Sequence, residues 1–448
     1  MPEPRKLSIT EAGIKIRSKE LTVMDLVCSC LERISQRESI VRAWVQVYED
    51  QAIEMAKKCD EAVSVGKPLG ALHGIPIGVK DIIDVKDMWT RAGCSAYPPR
   101  IAESDAHAVG QLRAAGAIIL GKTETTAFAN NDPAPTRNPW NVKHTPGGSS
   151  SGSGAAVADQ MCLAALGTQT GGSVLRPAAY NGIVGLKPTY GEISLDGVIP
   201  VSWTLDHIGP HARQVEDVKI LFNLLKNGAP DLFAHMVPRT GHEHQPRVHG
   251  QFRLGFFQKF CEQEAMPEMT SHLESVCGIF EKAGAQIVTI NLSESFARAA
   301  NAHRVIMDTE LSMYHNDFFA TTWKEYPPNI RTRIEKGLMV SGHEYLGAVQ
   351  QRITFQQELS EALANVDAAI LPTAPSTAPP GLSSTGSPIF CVPWSMAGFP
   401  AITIPSGLDD QGLPLAVEIG ANPYCEETLL TIAAWCEGLL SFGSSPTE

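Results

Sequence analysis

Two glycine-flanked serine segments constrain this chain more than any other feature. Gly147-Gly148-Ser149-Ser150-Ser151-Gly152-Ser153-Gly154 runs straight into the helix-forming Ala155-Ala156-Val157-Ala158. Ser173 follows Ser149 by 24 positions, in Thr170-Gly171-Gly172-Ser173, between a strand-like stretch and a helix former. Glycine at such junctions lets the backbone turn sharply. A chain built on strand–loop–helix junctions alternates its elements, so the expectation is an α/β core with a mixed or largely parallel sheet.

The surrounding pattern agrees. Residues 8–65 read as helical, with Ser8 or Thr10 as first cap and an apolar stripe at Val23, Leu26, Val27, Cys30, Leu31 and Ile34. The run Ile75–Val79 is too short for a free helix and reads as a buried strand with Lys80 at its end. Helices are expected at 104–115, at 155–158, from 174 and at 215–225, and strands at 117–120, 161–166 and 183–186. Residues 130–148 read as loop and 228–250 as a surface excursion or linker. A second alternating stretch follows: strand 252–257, helix 266–283 and strand 286–290. Residues 292–365 are mostly helical with a break at Pro327-Pro328, a natural cap over a site built by the core. A Pro/Ser/Gly/Thr loop at 372–388, strands at 401–404 and 414–419 and a helix at 425–440 complete the chain. No internal repeat divides it, and residues 1–448 are expected to form one domain with its catalytic core at 65–212.

Composition excludes several classes. Apolar residues make up 43% and charged residues 19%, which suits a sizeable core. The net charge of −12 and the lack of any basic cluster with interleaved aromatics argue against nucleic acid or an anionic membrane as partner. No run approaches the ~18 apolar residues of a membrane span, and the polar start Met1–Lys6 reads as no signal peptide. Ten scattered cysteines without a C-x-x-C pair read as reduced thiols in a cytoplasmic protein, rather than as a zinc or disulfide framework. No cofactor or metal is expected.

Each catalytic candidate has a plainer reading beside it. The 147–154 segment is a flexible linker, an anion-binding loop or a catalytic loop; a P-loop is excluded because Gly-Lys-Ser/Thr is missing from its end. Ser173 is a helix N-cap or an exposed nucleophile, its glycines freeing N–H groups for a developing oxyanion. Lys80 is a solvated strand end, or an amine whose burial lowers its pKa until it acts as a base.

Together these residues resemble the amidase signature family. The resemblance rests on Gly74–Asp81, Gly147–Ala156, Gly167–Ser173, Gly182–Gly191 and Leu205–Pro210, and extends from the N-terminal helices to Gly412-Leu413-Pro414. It implies an α/β fold with a single large mixed β-sheet core surrounded by helices. It also implies a Ser–Ser–Lys triad: Ser173 as nucleophile, Ser149 as bridging serine at a cis peptide bond and Lys80 as base. The N–H groups of Thr170, Gly171, Gly172 and Ser173 are the implied oxyanion hole. The implied activity is hydrolysis of a carbonyl C–N bond in a small-molecule amide, extending to carbamates (urethanes) and esters. The alternative is the glutaminase subunit of a tRNA-dependent amidotransferase. Residues 122–128 lack the Asn-Met-Asp-Glu-Phe of that subunit.

Two positions depart from the family pattern. Gln169 stands where most members have Asp, and Arg176 lies three rather than two residues after Ser173, about 100° further round a helix. Substrate pockets are expected from 125–145, 228–250 and 300–345. Phe318, Phe319 and Trp323 are candidates for an apolar wall, although helical aromatics more often serve the core.

Overall fold

The computed structural model describes residues 3–67, 69–98, 100–226, 237, 251–291 and 294–446. Its strands are β1 (Trp44–Val47), β2 (Pro76–Lys80), β3 (Trp89–Thr90), β4 (Arg100–Ile101), β5 (Ile118–Thr123), β6 (Ala164–Gln169) and β7 (Val184–Lys187). They continue with β8 (His207–Ala212), β9 (Arg253–Phe256), β10 (Gln286–Thr289), β11 (Ala368–Pro372), β12 (Ala401–Leu408) and β13 (Pro414–Gly420). Eleven form one sheet in the order β1-β5-β2-β6-β8-β7-β12-β13-β11-β9-β10, and β3 pairs with β4 apart from it. The trio β5, β2, β6 is parallel, as is β11, β9, β10, while the pairings that join the two trios are antiparallel. The fold is thus α/β, a large mixed sheet surrounded by helices.

Burial explains why these runs are strands. Every residue of β2, β5, β6, β7, β8, β11 and β13 is buried. A sheet covered by helices on both faces takes near-continuous apolar runs in place of alternation. The first helix, Ile9–Arg17, starts at Ser8, whose hydroxyl accepts from the Glu11 N–H while the Glu11 carboxylate takes the Ser8 N–H.

Several boundaries differ from the sequence expectation. The helical reading of 8–65 is interrupted by β1, which pairs antiparallel with β5 at the sheet edge. The helix expected from 104 begins at His107, and the strand expected at 161–166 runs from Ala164 to Gln169, drawn onward by its ladder with β8. Strands β8 and β11 and the helix Val392–Ala397 were not anticipated. The break in the 292–365 region lies as expected between the helices Glu294–Thr322 and Pro328–Met339, and Gly342–Leu363 follows. The excursion expected at 228–250 lies outside the described residues except for Val237, which is buried. Among the described residues no helix is long and apolar enough to cross a membrane. All ten cysteines are free thiols.

Candidate active site

Lys80 ends β2 beside β6, and the parallel register of Val79 with Leu166 sets its amine level with Thr168. The side chain is fully buried. Its Nζ is hydrogen-bonded to Ser149 Oγ at 2.7 Å, and it donates to Thr168 Oγ1 at 2.8 Å and to the Thr168 carbonyl at 3.4 Å. Burial holds its pKa well below that of a free lysine, and the charge of Asp206 opposes that shift only in part. The neighbouring Asp81 is turned away into a buried ion pair with Lys122 at 3.0 Å.

The glycine–serine run is neither linker nor open loop. All of it is buried, and the helix Ser151–Ala158 begins inside it. Gly152 is required there: a Cβ would stand 2.1 Å from the Ala43 carbonyl oxygen and 2.4 Å from the Glu124 nitrogen. Its serines hold the loop to the sheet. Ser150 Oγ both donates to the Thr168 carbonyl and accepts from the Thr168 N–H, each at 3.2 Å, and Ser153 Oγ donates to the Leu166 carbonyl at 3.0 Å. The Gly148–Ser149 peptide bond is cis, as the family resemblance implies.

Ser173 follows β6 and precedes the helix Leu175–Asn181. It does not cap that helix. The Gln169 side-chain carbonyl accepts from the N–H groups of Val174 (2.8 Å) and Leu175 (3.0 Å). Its amide donates to Ser395 Oγ at 3.0 Å, and Ser395 in turn donates to the Gly171 carbonyl at 2.7 Å. A neutral amide therefore supplies the acceptor a carboxylate would offer at this position, together with a donor that a carboxylate lacks. With the cap satisfied, the Ser173 hydroxyl faces a cavity of about 410 Å³. The N–H groups of Thr170, Gly171, Gly172 and Ser173 donate to no acceptor among the described residues. No hydrogen bond there joins the Ser149 and Ser173 hydroxyls.

Three further side chains set this geometry. Arg176 donates to the Gly148 carbonyl at 2.6 Å, to Thr385 Oγ1 at 3.1 Å and to the Gly386 carbonyl at 2.9 Å. Its altered spacing thus places it on the peptide preceding Ser149. Asp206 takes the Thr170 hydroxyl at 2.5 Å and the N–H groups of Val201 and Ser202 at 2.8 and 3.0 Å. Burial raises its carboxyl pKa to about 6. His303 donates Nε2–H to the Thr170 carbonyl at 2.9 Å, and burial lowers its pKa to about 4, leaving a neutral ring.

The cavity draws on two of the three regions expected to shape it. Asn130 and Asn131 come from the first, and His303, Met307 and Asn329 from the last. The third, 228–250, falls outside the described residues apart from Val237. The segment Ser383–Ile389 forms a wall that was not foreseen. Phe318, Phe319 and Trp323 do not line the cavity; Phe319 packs edge-on against Tyr326, Phe318 against Tyr97, and Trp323 is 43% exposed. Thr168 and Asp206 lie within motifs that carry the resemblance, but nothing in those motifs marks what their side chains do. His303 has no sequence signal. Among the described residues no group of three or more His, Cys, Asp or Glu side chains is arranged to hold a metal ion.

Comparison with known proteins adds to this geometry. The Amidase family model matches residues 25–430. The A-type subunit of glutamyl-tRNA(Gln) amidotransferase from Sulfurihydrogenibium sp. is 32% identical, with 96% of this chain and 96% of that protein covered. A crystal structure described as an amidase superposes with a TM-score of 0.87 at 29% identity, covering 96% of this chain and 99% of its own. The native peptide amidase of Stenotrophomonas maltophilia gives a TM-score of 0.82 at 28% identity, with 98% of each chain covered.

Proposed function

The chain belongs to the amidase family of C–N bond hydrolases, and from that premise we propose that it cleaves amides through Lys80, Ser149 and Ser173. The observation that carries the reading is the buried Lys80 amine bonded to Ser149 Oγ at 2.7 Å. An amine kept neutral by burial can accept a proton at working pH, whereas an ordinary lysine cannot.

The steps follow. Substrate brings the Ser173 hydroxyl into hydrogen-bond contact with Ser149, since such bonds are often long without ligand. Lys80 takes the Ser149 proton, Ser149 takes the Ser173 proton, and Ser173 Oγ attacks the carbonyl carbon. The free N–H groups of Thr170, Gly171, Gly172 and Ser173 hold the resulting oxyanion. The C–N bond breaks as the proton returns through Ser149 to the departing amine, leaving an ester on Ser173. Water then loses a proton to the same relay and attacks the ester carbonyl, and Ser173 is reprotonated as the acid leaves. The helices Glu294–Thr322 and Pro328–Met339 wall the cavity beside this centre. A carbamate presents the same carbonyl with an alkoxy substituent, and an ester has an easier leaving group, so both are accepted.

A second reading, a glutaminase component that works within an amidotransferase, is favoured by the relative from Sulfurihydrogenibium sp.. The purified chain distinguishes the two when assayed alone on chromogenic anilides, aliphatic amides, carbamates and esters. Multiple turnovers on amides without any partner support the free-standing hydrolase. No turnover of any of these substrates, or of glutamine, by the chain alone is the result expected of a component that needs its partners.

A further inference from the structure

The cavity over Ser173 has a charge opposite to that of the chain around it. The protein carries −12, yet among the described residues no aspartate or glutamate lines this cavity, while Arg176, Arg304 and Arg333 do. The carboxylates nearby are engaged elsewhere. Asp308 accepts from Arg333 Nε at 2.6 Å, and Asp132 accepts the N–H groups of Asn329 and Ile330 at 3.0 and 2.8 Å. Of the three guanidinium groups only that of Arg333 has a carboxylate in ion-pair range among the described residues, which leaves Arg176 and Arg304 without one.

The two surplus cations differ in kind. Arg176 is buried, and its hydrogen-bond partners, two backbone carbonyls and the Thr385 hydroxyl, are all neutral. Its Nε, also buried, has no acceptor. A buried guanidinium stays charged, and without a counter-ion it is costly until an anion arrives. Arg304 stands exposed on the cavity rim beside His303. It feels the Asp308 charge, but its guanidinium forms no hydrogen bond or ion pair among the described residues.

We propose that the cavity selects amides that carry a carboxylate, with Arg304 as the direct contact and Arg176 supplying the surrounding positive field. The proposal rests on the amidase reading of the same cavity. It also separates this site from one built for a free amino acid, whose ammonium would meet no carboxylate among the lining side chains.

The test compares three 4-substituted anilides of equal acyl length. The pentanoyl 4-nitroanilide is neutral, the glutaric mono-4-nitroanilide carries its carboxylate on the acyl side, and N-pentanoyl-4-aminobenzoate carries it on the amine side. One of the two anions is expected to exceed the neutral compound in kcat/KM by about tenfold or more, the size of a charge-assisted contact. Which of them does so assigns the side. Arg304→Gln should pull that ratio back toward one, and raising sodium chloride to about 0.5 M should lower it too. Equal or better turnover of the neutral anilide overturns the proposal, and a ratio untouched by Arg304→Gln overturns the role of Arg304. If no amide is turned over, the amidase reading fails separately. Calorimetric titration of sodium glutarate into Ser173→Ala and into Ser173→Ala/Arg304→Gln then decides. Binding that weakens in the double variant upholds the carboxylate site, and no binding to the single variant refutes it.

Discussion

Replacing Lys80 with methionine tests the neutral amine without any substrate. In the unfolded chain lysine holds its proton up to about pH 10.4. In the folded chain burial drives that pKa well down. Between the two values the unfolded state binds one proton more than the folded state, so wild-type stability falls as pH falls. The slope is about 1.4 kcal/mol per pH unit, and it levels off below the folded pKa, where both states are protonated. Lys80→Met carries no such proton in either state. The substitution also strips a hydrogen-bond partner from Ser149 and Thr168, but their hydroxyls can turn to other partners, which adds an offset with little pH dependence. The stability of wild type minus that of Lys80→Met should therefore shrink along that slope as the pH falls from 9 toward 7, and stop shrinking only where the folded pKa is reached. Urea unfolding of both proteins at half-unit pH steps reads this difference directly, and all other titrating groups largely cancel. Parallel curves across that window would mean that Lys80 is an ammonium in the folded protein, and it could not then serve as the base.

Further outcomes follow from the same geometry. Ser173→Ala should abolish amide turnover and fluorophosphonate labelling with little loss of stability, because the Ser173 hydroxyl neither caps a helix nor donates to any group among the described residues; labelling retained at Ser149 or Ser151 would contradict the assignment. Ser149→Ala should lose less activity than Ser173→Ala, since a water can bridge part of the relay, and an unchanged amide rate would remove Ser149 from it. Asp206→Asn should move the acid limb of kcat/KM to lower pH, because the Asp206 charge raises the Lys80 pKa; a limb displaced upward would reverse that sign. Gln169→Leu should cost roughly 3 kcal/mol or more in urea unfolding, because it leaves the Val174 and Leu175 N–H groups without their acceptor and Ser395 without its donor.

The parts of this architecture that were legible in sequence are those where local chemistry and burial coincide. The apolar run before Lys80 is too short for a free helix and favours a buried strand, and the helix at 215–225 was found to the residue because its stripe is regular and polar Gln214 and Lys226 flank it. The glycine–serine helix was hidden because its small residues answer to the backbones of Ala43 and Glu124, more than 20 positions away in sequence. The strand β8 carries part of the family resemblance without looking like a strand. His207-Ile208-Gly209-Pro210 has weak strand propensity and is held by its ladders with β6 and β7. Within the site, Lys80, Ser149 and Ser173 stand out in the sequence, and the structure brings the first two into contact and sets Ser173 on the cavity. Their supports were not legible. His303 and the Ser383–Ile389 wall arrive from distant segments, and only tertiary packing shows what they touch.

The tether made by Arg176 matters to anyone who wishes to change what this cavity admits. The Ser383–Ile389 wall is the obvious segment to exchange, since it lies far from Lys80, Ser149 and Ser173 in sequence. Yet Thr385 and Gly386 are gripped by the guanidinium that also holds the Gly148 carbonyl. A grafted wall lacking a hydroxyl at 385 or a carbonyl turned inward at 386 would free that arm, and the peptide ahead of Ser149 would lose its brace. Specificity and turnover are therefore not independent modules here. A library that randomises the wall should hold those two contacts constant, or its losses of rate will be mistaken for poor substrate fit.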